Sequence, residues 1–375
     1  MKIGIEAQRI FRHDKHGMDY VILSVLRYLQ CTDDDNEYVV FVAPGPDHCL
    51  ENTNRIRIVE LKCPTYPLWE QWALPRAVRR AKVEILHCTS NTAPLFCTIP
   101  LVLTLHDIIY LTSPKSKGMS RYQILGWYYR RWNVPRIINR CRHIITVSES
   151  EQAHILHHFP AIKDKLSVVH NGYNICYRLL PEEEIQTVTH KYLPEKKYLL
   201  FLGNTDPRKN TTNVLRAYND YLNNSLISLR LVITGLKQKQ VESMLINAGI
   251  ENCSQHIVYT GYVPSEDMPA LYNGAFAFLF PSLQEGFGIP VLEAMACGIP
   301  VITSNCSSLP EIAGKGGILV SPSRPQEITE AILHLENDSD FYRQQSAYGL
   351  KRIKQFSWKH TAEAYKHLYN SLLKP

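Results

Sequence analysis

At 375 residues the chain exceeds one ordinary domain and suits two of roughly 150 to 200 residues, each large enough to bury its own core. Hydrophobic content of 45% and charged content of 20% exclude a disordered, collagen-like or coiled-coil chain. The net charge of +6 is modest, and the ten cysteines are scattered with no C-x-x-C pair and no Cys/His cluster at zinc spacing, so neither a disulfide framework nor a metal site is encoded.

Met1-Lys2-Ile3-Gly4-Ile5 reads as a first β-strand with no long apolar segment of a signal peptide before it, and no run approaches the roughly 20 apolar residues of a membrane span. A cytoplasmic protein is expected, peripheral on the inner face of the plasma membrane if it meets a membrane at all. Short apolar, β-branched runs then recur at Lys2–Ile5, Tyr38–Val42, Ile56–Leu61, Val83–His87, Leu101–His106 and His143–Ser148, with helical stretches between them. That alternation predicts a parallel sheet covered by helices on both faces. After a strand-like Leu166–His170 and the turn Asn171-Gly172, Pro181-Glu182-Glu183-Glu184 and Pro194 read as a linker carrying a short exposed helix. The alternation restarts at Lys197–Gly203, Leu229–Gly235, His256–Gly261, Ala275–Pro281, Ile299–Ser304 and Gly317–Ser321. Residues 1–178 and 179–356 are therefore expected to be two doubly wound α/β domains. The tail 357–375 is expected to be an amphipathic helix, with Ala362, Tyr365, Leu368, Tyr369 and Leu372 on its apolar side, packing back on the first domain.

Charge is uneven along the first half. No acidic residue falls between Ile108 and Ser148, where Lys115, Lys117, Arg121, Arg130, Arg131, Arg136, Arg140 and Arg142 are interleaved with Tyr122, Trp127, Tyr128, Tyr129 and Trp132. Two readings stand: a surface for anionic membrane or phosphate, or a solvated basic helix whose aromatic residues belong to the core. No nucleic-acid-binding module accompanies the stretch, so nucleic acid is not an expected partner.

Ligands of open parallel sheets bind beyond the carboxyl ends of the strands. After the strand ending at Pro281 comes Leu283-Gln284-Glu285-Gly286-Phe287-Gly288-Ile289, whose glycines let backbone approach a ligand, and a helix from Pro290 to about Cys297 closed by Gly298 and Pro300. The N–H groups and dipole of the helix start suit a diphosphate. Glu285 and Glu293 can border the same ligand and accept from sugar hydroxyls. Phe201-Leu202-Gly203-Asn204-Thr205-Asp206-Pro207-Arg208-Lys209-Asn210 also links a strand to a helix, and Arg208 and Lys209 can supply the cation that a departing nucleoside diphosphate requires.

Pro281-Ser282-x-x-Glu285-Gly286-Phe287-Gly288-Ile289-Pro290-x-x-Glu293-Ala294-Met295-Ala296-Cys297-Gly298-x-Pro300-Val301 closely resembles the E-x7-E signature of the family 4 retaining glycosyltransferases, and the short first domain and the Gly203–Asn210 form look most like their bacterial branches that build surface polysaccharide, including mannosyltransferases. The resemblance implies the GT-B fold, two Rossmann-like domains facing across a cleft. It implies that Glu285 meets the transferred sugar, that Glu293 holds the nucleotide ribose and that Lys209, with Arg208 second, clamps the diphosphate. Where the family often has an arginine just after the glycine, this chain has Asn204. His106, in Thr104-Leu105-His106-Asp107, is placed against the donor sugar. Gly17, in His16-Gly17-Met18-Asp19-Tyr20, takes the place of the family's glycine-rich loop. Gly203, Gly286, Phe287, Gly288 and Ile289 complete the donor site. Ser307-Ser308-Leu309-Pro310-Glu311 also looks like the family, in which such a loop places main-chain N–H groups near the donor.

The resulting expectation is a metal-independent hexosyltransferase acting with retention. Its nucleotide-sugar, GDP-mannose or a UDP-sugar, is a substrate rather than a cofactor, and its acceptor is a glycan or lipid-linked sugar of surface polysaccharide. Rival readings are a metal-dependent transferase using Asp33-Asp34-Asp35, a sugar-nucleotide epimerase, and a catalytically silent glycan-binding or scaffold subunit.

Overall fold

The computed structural model describes residues 1–13, 15, 17–33, 35–112, 121–193 and 197–373. His16, Asp34, Lys115, Lys117 and Pro194, singled out above, lie outside the described residues. The chain divides into two units, Met1–Gly172 with Ser357–Pro375, and Tyr173–Phe356. The change of unit precedes residue 178 because the connecting segment already bonds inside the second unit: the Leu180 N–H donates to Asn273 Oδ1 at 3.1 Å, and Asn273 Nδ2 to the Arg178 carbonyl at 2.9 Å.

The first unit holds seven parallel strands: β1 (Lys2–Glu6), β2 (Glu37–Val42), β3 (Ile56–Glu60), β4 (Ile85–Cys88), β5 (Leu101–Leu105), β6 (His143–Thr146) and β7 (Leu166–Val168). Their order is β3-β2-β1-β4-β5-β6-β7, so the sheet grows outward in both directions from the seam between β1 and β4. Strands covered on both faces need side chains that are apolar throughout rather than alternating, and Leu101–Leu105 is buried at every position.

The helix Trp358–Leu373 belongs to this unit and packs on the helix Gly17–Thr32. Its buried Tyr369 hydroxyl meets His87 Nδ1 at 2.6 Å, and the other nitrogen of that ring meets Thr104 Oγ1 at 2.7 Å. Burial pushes His87 down to about 3, so the ring stays neutral and joins β4, β5 and the last helix. Lys366 reaches Asp33 at 3.1 Å and Asp35 at 2.9 Å. Asp33 is buried and also accepts from Asn36 and Tyr38. These two acids anchor the C-terminal helix.

The second unit holds β8 (Tyr198–Leu202), β9 (Arg230–Thr234), β10 (Ile257–Gly261), β11 (Ala277–Phe280), β12 (Val301–Ser304) and β13 (Gly317–Val320), all parallel, in the order β10-β9-β8-β11-β12-β13. Here the direction of growth reverses between β8 and β11, which pair in register with Ala277 beside Leu199 and Leu279 beside Phe201. The chain leaves adjacent strands toward opposite faces at such a seam and opens a crevice above their carboxyl ends. The Lys209 and Glu285 loops follow these two strands. Among the described residues no helix is long and apolar enough to cross a membrane.

Candidate functional site

In the second unit the β8 loop closes through a chain of local bonds. The Asn204 side chain accepts the Asp206 N–H at 2.8 Å, and Asp206 accepts the Arg208 N–H at 3.0 Å at the start of a 3₁₀ turn, Pro207–Lys209. The same carboxylate holds the Arg208 guanidinium, Nη2 at 2.6 Å. Burial would raise Asp206, but the hydrogen bonds and charge of Arg208 outweigh it and keep the group below its ordinary value. Arg208 is thus engaged within its own turn. Lys209 instead crosses to the neighbouring loop, where its Nζ lies 2.6 Å from Glu285 Oε1 and 5.4 Å from the centre of the Phe280 ring. The side-chain exposures are 27% and 14%, so the pair is in partial contact with solvent.

Asn210 fixes that geometry. It adopts left-handed backbone, φ 62°, and its buried amide donates to the Pro281 carbonyl at 2.9 Å and the Pro322 carbonyl at 2.6 Å. One side chain thereby ties the β8 loop to the segments that follow β11 and β13. The Leu283 N–H adds a bond to the Arg208 carbonyl at 2.7 Å. From the other side, the Ser307 hydroxyl accepts the Glu285 N–H at 3.0 Å and donates to the Glu285 carbonyl at 2.6 Å, while the buried Ser308 hydroxyl donates to the Phe287 carbonyl at 2.7 Å. Ser307 and Ser308 therefore hold the Glu285 backbone between them.

The glycines and aromatic of this loop divide by role. A Cβ on Gly203 would stand 2.6 Å from Ile233 Cγ2, so close packing demands glycine there. Gly288 has φ 116°, outside the reach of ordinary side chains, and a Cβ would meet Leu309 at 2.8 Å. Phe287 is buried with its ring edge-on to Phe356, centroids 5.9 Å apart, so its side chain belongs to the interior. The following helix is Ile289–Ala296. Pro290 brings no N–H, and the Val291 N–H is bonded to the Gly288 carbonyl, so this helix start offers fewer backbone donors than the sequence reading expects. Glu293, on this helix, accepts from the Tyr272 hydroxyl at 3.4 Å and from Tyr177. Burial pushes its carboxyl up to about 7 against those two bonds, which favour the ionised form.

In the first unit, His106 sits at the end of β5, buried, with its backbone N–H on Asn91 Oδ1 at 2.7 Å. Its Nε2 lies 3.0 Å from the Thr89 carbonyl, which only accepts, so Nε2 carries the proton and Nδ1 keeps a lone pair. Burial holds the ring below its ordinary value and thus neutral. Thr89 is fixed in turn by the buried Glu6 at the end of β1, whose carboxylate and carbonyl take the Thr89 N–H and hydroxyl at 3.1 and 2.7 Å. Asp107 accepts the Ile109 N–H at 3.2 Å and starts a short helix. Gly17 is the first residue of the helix Gly17–Thr32 rather than part of a preceding loop, and nothing lies within 4 Å of where its Cβ would be. Asp19 turns inward to Arg9 at 3.1 Å.

Among the described residues no group of three or more His, Cys, Asp or Glu side chains could hold a metal ion. Glu6, Thr89, Asn91, Asn210, Ser307, Ser308 and Tyr272 were not assigned to the site as structural supports from the sequence. Ser307-Ser308 and Asn210 stood in runs the sequence reading quoted, and the turn-rich run Thr89-Ser90-Asn91-Thr92 after β4 is a local signal for Thr89 and Asn91.

Residues 16–175 match the model of Glycosyltransferase Family 4, and residues 183–352 that of Glycosyl transferases group 1. The O-antigen chain mannosyltransferase B of Escherichia coli is 33% identical over 274 residues, covering 71% of this chain and 70% of that protein. The chain belongs to the family 4 glycosyltransferases. The O-antigen chain mannosyltransferase RfbU of Salmonella typhimurium is 24% identical over 87% of this glycosyltransferase chain and 86% of its own. Among solved structures, the sucrose-phosphate synthase of Thermosynechococcus elongatus superposes with a TM-score of 0.76 at 18% identity, covering 99% of each chain. Anabaena Alr3699/HepE, solved in complex with UDP and glucose, gives 0.71 at 17% identity over 99% of this chain and 100% of its own. These likenesses are of fold: the two Rossmann-like units are those of GT-B glycosyltransferases.

Replacing Asn210 by alanine removes two buried bonds and leaves a side chain in left-handed backbone, a cost of about 2–4 kcal/mol in denaturant melts. Asn210→Gly relieves the backbone but not the bonds and should recover only about 1 kcal/mol of it. A loss below about 0.5 kcal/mol for Asn210→Ala would remove Asn210 from this role.

Proposed function

We propose that this glycosyltransferase moves a hexose, mannose from GDP-mannose, to a glycan or lipid-linked acceptor in the synthesis of surface polysaccharide, with retention at the anomeric carbon and without a metal ion. The observation that carries the reading is the Lys209–Glu285 pair, 2.6 Å apart at the seam between β8 and β11, with Glu293 on the helix that follows. A nucleotide-sugar gives each charge a better partner. The diphosphate takes Lys209, sugar hydroxyls donate to Glu285, and ribose hydroxyls donate to Glu293. The choice of mannose rests on the relatives, two of which are named O-antigen chain mannosyltransferases.

In this mechanism the acceptor hydroxyl attacks the anomeric carbon on the face from which the diphosphate departs. The carbon–oxygen bond to the diphosphate breaks as the new one forms, and a diphosphate oxygen takes the hydroxyl proton. The chain supplies charge and position: Lys209 stabilises the negative charge that grows on the leaving group, and Glu285 orients the sugar. Arg208, already paired with Asp206, is secondary. His106, neutral with a lone pair on Nδ1, is assigned to accept from a sugar hydroxyl.

Two outcomes test this. In a panel of GDP- and UDP-sugars with a glycan acceptor, GDP-mannose should be consumed fastest, and Glu285→Ala should lower turnover about 10²–10³-fold with the fold intact. Near-normal turnover by that variant overturns the site, whereas a faster UDP-sugar overturns only the donor. The second concerns pH. The folded Glu293 carboxyl titrates near 7, above its unfolded value, so its contribution to stability is full at low pH and is lost as pH rises through about 7. Ribose hydroxyls favour the ionised form, so nucleotide affinity should rise about ten-fold between pH 6 and 8 and become flat in Glu293→Gln. A wild-type affinity that is flat, or falls, over this range contradicts the ribose assignment.

A further inference from the structure

Glu151 is a buried carboxyl that the proposed reaction does not use. It lies in the first turn of the helix Glu149–His158, which Ser148 caps by accepting the Glu151 N–H at 3.1 Å. That helix follows β6, and β6 pairs with β5, the strand whose end leads into His106. From the helix start, Glu151 Oε1 crosses to the loop after β5 and accepts the buried Ile108 N–H at 2.8 Å. Ile108 stands two residues past His106.

Where a strand ends inside the protein, its amides lose the neighbouring backbone and side chains must satisfy them. Around His106 those side chains come from both flanking strands. On the β4 side Asn91 takes the His106 N–H at 2.7 Å, and the Thr89 carbonyl takes the proton of ring Nε2 at 3.0 Å. On the β6 side Thr146 donates to the Leu105 carbonyl at 2.9 Å, and Glu151 takes the Ile108 N–H. The backbone of His106 and Asp107 is thereby fixed at both ends. Burial and the neighbouring Asp107 push the Glu151 carboxyl up to about 8, against the Ile108 bond, so at neutral pH it is chiefly the neutral acid and accepts through its carbonyl oxygen. His154, on the same helix, lies 3.5 Å from that oxygen, but burial and the nearby His158 and His157 hold it below its ordinary value, so the contact is not an ion pair. The buried Tyr110 phenol is the other titratable group beside Glu151.

We propose that Glu151 is a positioning residue for glycosyl transfer: by accepting the Ile108 N–H it holds the loop after β5 so that His106 presents its Nδ1 lone pair to the sugar. The inference rests on the assignment of His106 to a sugar hydroxyl. Without an acceptor at position 151 the Ile108 amide is buried and unsatisfied, so the loop must shift toward water or another acceptor and carry His106 with it. A displacement of about 1 Å at a reacting group can lower a rate about a hundred-fold. The role asks for an acceptor oxygen of the right reach and not for a charge, and the amide of glutamine supplies the same oxygen.

The test is a double-mutant cycle on the full chain, read as nucleoside diphosphate release with a glycan acceptor and the most active donor of the GDP- and UDP-sugar panel. His106→Ala should lower kcat about ten-fold, the effect of one lost hydrogen bond. Glu151→Leu, which fills similar space and accepts nothing, should lower kcat by up to the same about ten-fold, with KM for the donor changed less than about two-fold. Glu151→Gln should stay within about three-fold of the wild type. In the His106→Ala background, Glu151→Leu should lower kcat by less than about two-fold more, because the ring it positions is gone. An unchanged circular dichroism spectrum checks the fold of each variant, and Glu151→Asp, one methylene too short to reach Ile108, takes the place of the leucine variant in the cycle if that one does not fold. A leucine variant as active as the wild type, a glutamine variant as slow as the leucine one, or losses that multiply in the double variant would each overturn the inference and leave His106 in its role. Full activity in His106→Ala would overturn the role of His106 and this inference with it.

Discussion

Three loops at the carboxyl edge of the second sheet hold their places through the side chain of Asn210. Its amide hydrogens reach one carbonyl after β11 and another after β13, while its backbone belongs to the loop after β8. Without that clasp, Lys209 would be a flexible cation on a turn. With it, the ammonium group is carried to Glu285, whose own main chain is gripped by Ser307 and Ser308. The catalytic arrangement proposed here is therefore a consequence of backbone satisfaction. Polar groups at the ends of four strands bond to one another, and the Lys209–Glu285 pair joins two of the loops.

The electrostatics of this edge follow from how tightly each charge is already held. Arg208 is matched by an aspartate two residues away within one turn, and Asp206 is the better acid for it. Lys209 and Glu285 are matched to each other across loops, in partial contact with solvent, and in the proposed reaction each exchanges its partner for a ligand. Glu293 is matched, among the described residues, by the neutral Tyr272 and Tyr177 hydroxyls, and burial raises its carboxyl toward the neutral form. The nucleotide-sugar proposed for this edge brings anionic phosphate to Lys209 and donor hydroxyls to Glu285 and Glu293.

Much of the architecture was legible because parallel strands buried on both faces are written as short apolar runs. All thirteen appear in the sequence reading to within a few residues. Their spatial order was not, since the seams between β1 and β4 and between β8 and β11 depend on long crossovers that leave no local pattern. Lys209 and Glu285 could be named from their places after strands and from the family resemblance, but nothing in their spacing shows that they touch. Asn91 and Asn210 escaped as supports for a further reason. Both adopt left-handed backbone and bond to residues far along the chain, Asn91 to His106 and Asn210 to Pro281 and Pro322. The basic stretch misled in part because composition counts Trp127 and Tyr129 with Tyr128 and Trp132, whereas helical phase sends the first two inward and the others to solvent.

The central claim is that Lys209, freed from Glu285, binds the diphosphate of a nucleotide-sugar. Calorimetric titration of GDP and GMP into the wild type and a Lys209→Met variant addresses it directly. The account predicts that the wild type prefers the diphosphate by about ten- to a hundred-fold, the worth of one charge-assisted hydrogen bond, and that the variant binds the two nucleotides alike. A preference that survives in Lys209→Met would contradict it.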